Sequence, residues 1–205
     1  MKAGQGFLAI WSDVAPERET DYLHWLTREH TQERLSIPGF LAVRVFRSRA
    51  AAVRRYFILY TLTESGVMGS PAYVERLNAP TPWSQRIMPM LGNFQRGGGT
   101  VTARLGSGFG AVVAPVLLDG NEALQTSIRA AEVAAHDRLV AASLLAVDGA
   151  GTAIRTNEKS LRTGDRSFDT LLLAEAVDAD ALTSVLGEFE LFDQVFALDK
   201  AQLTS

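Results

Sequence analysis

Residues 17–47 read ERETDYLHWLTREHTQERLSIPGFLAVRVFR. This stretch holds a helix, its stop signal and the strand that follows. Over Glu17 to Leu35, a rotation of about 100° per residue puts Tyr22, Leu23, Trp25 and Leu26 on one face. Glu29, His30 and Glu33 fall on that same face, while His24, Arg28, Thr31 and Arg34 point elsewhere. Pro38-Gly39 ends the helix, because proline restricts the residue before it and glycine permits positive φ. Phe40 to Arg47 then alternates, with Leu41, Val43 and Val45 opposite Ala42, Arg44 and Phe46, as a strand does. An unpaired charge under a packed helix is costly. The greasy face with its three ionisable groups is therefore expected to line a cavity or an interface.

Working outward, Gly6 to Trp11 reads as a buried strand and Tyr56 to Leu62 as another. Ser70-Pro71 and Thr81-Pro82-Trp83 each open a short helix, proline being suited to the first turn. Thr100 to Leu105 reads as a fourth strand after a flexible Gly97-Gly98-Gly99. Strand, helix, strand, strand, helix, strand is the ferredoxin-like split βαβ order.

The second half repeats that order. Strands are expected at 111–118, 141–147, 168–177 and 192–198, and helices at 121–138 and 180–189. Gly149 to Asp165 reads as a polar, mobile hairpin connection. Arg34–Val43 lies over Arg138–Val147 at an offset of 104 with five of ten positions identical, a trace of an internal repeat. The expected fold is α+β, two tandem ferredoxin-like halves (1–106 and 107–205) forming an intrachain dimeric α+β barrel. At the same offset His30, Glu29 and Trp25 fall on Ala134, Val133 and Arg129, while Glu33 falls on Asp137. The second half thus reads as degenerate, with the candidate site confined to the first.

The charge balance of −3 and a pI of about 5.6 lack the basic footprint of a nucleic-acid binder. With no cysteine, disulfides, thiolate nucleophiles and cysteine-ligated metals are excluded. The apolar runs are too short for a signal peptide or a membrane span, so a soluble cytoplasmic protein with no membrane partner is expected.

Trp25-x4-His30-x2-Glu33-Arg34-Leu35-Ser36-Ile37-Pro38-Gly39-Phe40, with the later Ala72-Tyr73 and Pro80-Thr81-Pro82-Trp83-Ser84, resembles the dimeric α+β barrel superfamily. More narrowly, it resembles uncharacterised proteins related to the ethyl tert-butyl ether degradation family. The resemblance covers about residues 5–105. It implies ferredoxin-like units whose sheets join into a barrel, with a pocket between sheet and helices for a small hydrophobic molecule. Cofactor-free monooxygenases, lactone isomerases and haem enzymes share the superfamily, so the chemistry stays open.

His30 is the leading candidate for an acid or base, having a near-neutral reference pKa. Glu33, three residues on, is within reach to orient it. Tyr22, Trp25, Glu29 and Trp83 are the expected ligand-binding residues. His24 lies too far round the helix for a shared metal site, so no metal is expected, and no cofactor. Trp11, Tyr60 and Phe94 are further candidates for an aromatic wall. Arg44, Arg47, Arg49, Arg54 and Arg55 cluster around one hairpin, as a solvated end or an anion site. The expected activity is binding of a small apolar or aromatic molecule, with oxygenase, isomerase or lyase chemistry at His30. The alternative is a structural or assembly module in which His30 is a buried, hydrogen-bonded tie. Pairing into a homodimer fits either reading.

Overall fold

The structure, a computed structural model, describes residues 1–50, 54–118, 130–149, 155–162 and 164–203. Eight strands are present: β1 (Gly6–Val14), β2 (Phe40–Ser48), β3 (Arg54–Leu62), β4 (Gly92–Gly106), β5 (Val112–Leu118), β6 (Leu139–Val147), β7 (Thr170–Ala176) and β8 (Phe192–Asp199). Each overlaps a strand expected from the sequence. The helices are α1 (Glu19–Trp25) and α2 (Thr31–Ser36) with a π turn (Leu26–His30) between them, then α3 (Pro71–Asn78), α4 (Pro82–Ile87), α5 (Asn157–Ser160) and α6 (Ala179–Leu186). Ser70 and Thr81 accept the backbone N–H groups of Tyr73 and Ser84, so α3 and α4 start where the Ser-Pro and Thr-Pro pairs placed them. Most of the helix expected over 121–138 lies outside the described residues; 130–134 are helical.

The strands assemble differently from the expected two tandem ferredoxin-like halves. They form one closed antiparallel barrel, in the order β1-β3-β2-β8-β5-β7-β6-β4 and back to β1, with the helices outside it. Closure is brought about by β4 and β8. Strand β4 runs for 15 residues and pairs with β1 along one edge and with β6 along the other. Strand β8 likewise joins β2 to β5. Among the described residues every strand has a neighbour on both sides, though β5 and β8 meet over only two pairs, Val112 with Asp193 and Val113 with Phe192.

The length of β4 also corrects the reading of Gly97-Gly98-Gly99 as a hinge. The three glycines lie inside the strand, paired with Ala9, Leu8 and Phe7. A Cβ at these positions would run into the Phe168 ring, the Met68 side chain and the Ala146 carbonyl respectively. Close packing, not flexibility, requires glycine here.

Residues alternate between the two barrel faces. Phe7, Ala9 and Trp11 of β1, Phe46, Phe57, Leu59, Val101, Val113, Leu145, Leu171, Leu173 and Phe192 meet in the interior. One end of the interior is closed by ions. The fully buried Glu175 accepts from Arg44 (2.6 Å), Arg104 (3.0 Å) and the Gly110 N–H (3.1 Å). Outside, Leu8, Ile10, Ile58 and Tyr60 face α1, the π turn and α3. The corresponding outer cluster on β5, β6 and β7 contains only alanine, valine and leucine.

Candidate functional site

The helix expected over Glu17–Leu35 is broken by the π turn, and this break builds the site. The Thr31 N–H bonds to the Leu26 carbonyl, five residues back. In an unbroken α-helix, residues five apart lie about 140° apart. The wide turn brings Trp25 and His30 together instead, with ring centroids 4.2 Å apart and planes tilted by 33°. It also rotates the following turn, so that Arg34 is buried beneath the helix rather than pointing away as the uniform 100° reading required. Turns of this kind recur at functional sites.

Beneath these side chains is a narrow cavity between the barrel wall and the helices, with about 30 Å³ of room for the centre of a water molecule. Leu8, Ile10, Ile58, Tyr60, Phe94 and Arg96 come from the barrel wall, and Tyr22, Trp25, His30 and Arg34 from the helix above. Tyr73, Met88 and Leu91 close one side. Glu158 and Arg162 come from the second half of the chain. The segment read as a mobile connection is, in its described part, packed over the site. Asn157 bonds Asn78 at the end of α3 (3.0 and 2.8 Å), and Arg166 exchanges backbone hydrogen bonds with Phe94 and Arg96 (3.0 and 2.9 Å).

Four buried polar atoms on this cavity have no hydrogen-bond partner among the described residues: His30 Nδ1, Tyr60 Oη, Arg34 Nη1 and Arg96 Nε. Buried polar groups are nearly always satisfied, so four orphans on one space single it out as the candidate site. Burial holds the His30 pKa well below its usual value, and the nearby Arg34 and Arg162 push it further down. His30 is therefore neutral at pH 7. Burial raises the Tyr60 phenol, which stays protonated. Burial also opposes charge on Arg34, but the Glu158 carboxylate outweighs it and keeps Arg34 cationic. Arg162 pairs with Asp165 (3.2 Å) and lies over the Phe94 ring at 3.8 Å.

Of the residues singled out in the sequence, Tyr22, Trp25 and His30 line the cavity, as do Tyr60 and Phe94. The others brace it. Glu29 accepts from the Thr81 hydroxyl (2.6 Å), Thr81 caps α4, and Ser84 of α4 receives the Trp25 indole N–H (3.1 Å), which fixes the Trp25 ring. Trp83 donates to Asp21 (3.0 Å) on the outer side. Glu33 pairs with Arg76 (3.1 Å) and makes no hydrogen bond to His30. Burial raises the Glu33 carboxyl pKa. Trp11 points into the barrel interior. Of the arginines at the hairpin, Arg44 is buried on Glu175, while Arg47 and Arg54 hold Glu19 and Arg49 holds Asp193. Arg34, Arg96, Glu158 and Arg162 were missed. Arg96 carried a legible signal, since Phe94-x-Arg96 continues the alternation of β4 past the glycines. Glu158 and Arg162 carried none. Among the described residues no group of three or more His, Asp or Glu side chains could hold a metal ion. Nor is any helix there long and apolar enough to cross a membrane.

No family model matches the chain, and no curated protein matches it either. The ethyl tert-butyl ether degradation family therefore gains no support. Solved structures do match. An “anthrone oxidase-like protein” superposes with a TM-score of 0.63 at 12% identity, over 98% of this chain and 97% of its own. A “putative monooxygenase” from Fusobacterium nucleatum gives 0.57 at 11% identity, over 98% and 96%. Another from Lactobacillus acidophilus gives 0.57 at 6%, over 96% and 97%. Identities this low speak for a shared fold along the whole chain and for nothing finer.

Proposed function

We propose that the cavity under the π turn binds a small, mostly apolar molecule and that neutral His30 removes a proton from an acidified carbon or hydroxyl of it. The observation that carries this reading is the His30 ring itself. It is buried, neutral, stacked on Trp25, and has no side-chain hydrogen bond among the described residues. A structural tie would have a partner. An unpaired imidazole nitrogen beside a cavity has its lone pair free for a substrate proton, and the anion left on the substrate offsets the burial and the two arginines that otherwise oppose its charge.

The substrate proton passes to an imidazole nitrogen, leaving the electron pair on the substrate. That anion can return the proton to a different atom, which is isomerisation. It can also react with dioxygen and take the proton back on the peroxide formed, which is oxygenation. The names of the structural neighbours favour the second outcome. The Trp25 and Ile10 walls keep water from the anion, and the cationic arginines stabilise the developing negative charge.

Anthrone tests this, since its CH2 group is acidified by the carbonyl conjugated with it through both flanking rings. Wild-type protein should accelerate exchange of that CH2 with deuterated water and consume one dioxygen per ketone formed, the intermediate hydroperoxide losing its second oxygen as water. His30→Gln should lose about 10²–10⁴-fold in rate, the usual worth of a general base. Exchange that is equally fast in both proteins would remove His30 from the chemistry.

A further inference from the structure

The buried arginines of this protein divide unequally. Among the described residues Arg34 is paired with Glu158, Arg44 and Arg104 with Glu175, and Arg162 with Asp165. Arg96 is 6% exposed and has no ion pair. Its one side-chain bond goes to the neutral Tyr73 hydroxyl (2.9 Å), and its Nε has no partner. A buried guanidinium without a counter-charge is costly, and removing it from water is offset only by an anion held close.

The surroundings add to the same excess. Around the cavity Arg34, Arg96 and Arg162 oppose Glu158 and Asp165, which leaves one positive charge over. Lys159, next along from Glu158, is lowered to about 8 by burial and by Arg96, so this region already resists another cation. Two further donors are unsatisfied on the same cavity, Arg34 Nη1 and Tyr60 Oη. Arg34 and Arg96 stand around one side chain: the Arg34 guanidinium lies 6.0 Å from the centre of the Tyr73 ring, and Arg96 holds the Tyr73 hydroxyl. Donors on two separate guanidinium groups suit an acceptor with two oxygens.

Resting on the His30 reading above, we infer that the ligand is a carboxylic acid whose carboxylate is held by Arg96, with Arg34 and Tyr60 as additional donors. Its apolar body lies along Leu8, Ile10, Ile58 and Trp25. His30 and Arg34 both line the cavity, one helical turn and a backbone rise of about 6 Å apart. A hydroxy acid of one or two rings, with its hydroxyl para to the carboxylate, suits a site whose base and cations stand apart in this way.

Three compounds test this: 4-hydroxy-1-naphthoate, its methyl ester and 1-naphthol, titrated into the full chain while the Trp25 indole N–H is followed by NMR. The acid should bind at least tenfold more tightly than either neutral compound. Arg96→Met should abolish that preference without weakening 1-naphthol, and Arg96→Lys should keep part of it. If Arg96→Met does not fold, the comparison in wild-type protein still decides. Equal binding of all three would overturn the carboxylate while leaving the apolar cavity and His30 intact. Failure of every compound, 1-naphthol included, to move the Trp25 signal would overturn the cavity reading as well.

Discussion

His30 couples the site to the stability of the protein. Its folded pKa lies below the ordinary histidine value of about 6.5 because burial disfavours the cation. Above pH 6.5 the ring is neutral in both folded and unfolded states and costs nothing. As the pH falls below about 6.5 the unfolded chain takes up a proton that the folded chain refuses, so stability drops by up to about 1.4 kcal/mol per pH unit. Thermal unfolding between pH 7.5 and 5 should show this slope in wild-type protein and a shallower one in His30→Gln. Parallel curves would place the titration elsewhere. A second residue-level expectation concerns Arg34, whose charge is balanced by Glu158 in a buried pair. Glu158→Leu should cost about 3–5 kcal/mol in urea unfolding, and adding Arg34→Met should recover much of that. His30 and Trp25 were legible from the sequence because an ionisable group on an apolar arc stands out. Arg34 was not, because its placement depends on a helix irregularity for which residues 26–30 carry no breaker such as glycine or proline.

At the scale of elements, the π turn acts as one inserted residue. Deleting the exposed Arg28 should restore α geometry there and keep both flanks in phase, with Trp25 and His30 then four apart. We expect a change of less than about 1 kcal/mol, or a few degrees in Tm for a chain of this size. Deleting Gln32, also exposed, shortens the helix equally but turns Arg34 away from Glu158 by about 100°. That variant should be markedly less stable, and equal Tm values for the two deletions would discount the π turn as a phase device. In β4 the glycine run is a packing requirement. Gly99→Val would press into the Ala146 carbonyl and should lower stability by about 2 kcal/mol or more through the β4–β6 pairing. In the sequence three consecutive glycines carried the signature of a hinge. The side chains that occupy their missing Cβ space, Phe168 and Met68, are distant in the chain and invisible to a local reading.

For the molecule as a whole, short apolar runs, with clear alternation over Phe40 to Arg47, located all eight strands, because burial is written into each strand separately. The closure of those strands into one barrel was not written there. It depends on β4 reaching past Gly99 to both neighbours and on β8 spanning from β2 to β5. The ion cluster at the barrel end is sensitive to that closure, since it draws Arg44 from β2, Arg104 from β4 and Glu175 from β7. Glu175→Leu should leave two buried guanidinium groups unpaired and cost about 3–5 kcal/mol in equilibrium unfolding. A neutral effect would mean that the barrel end opens to water.

The pairing of Arg34 with Glu158 joins residues 124 positions apart. During synthesis, α2 and its cation emerge long before the carboxylate that neutralises it. The cavity therefore acquires its final charge balance only after the segment carrying Glu158 has folded back over α3. Loop closures of this length are slow to form. Binding competence should consequently arrive last in refolding, after the far-ultraviolet circular dichroism of the sheet has reached its native value. The time between the two signals would measure how long the second half takes to lie down on the first.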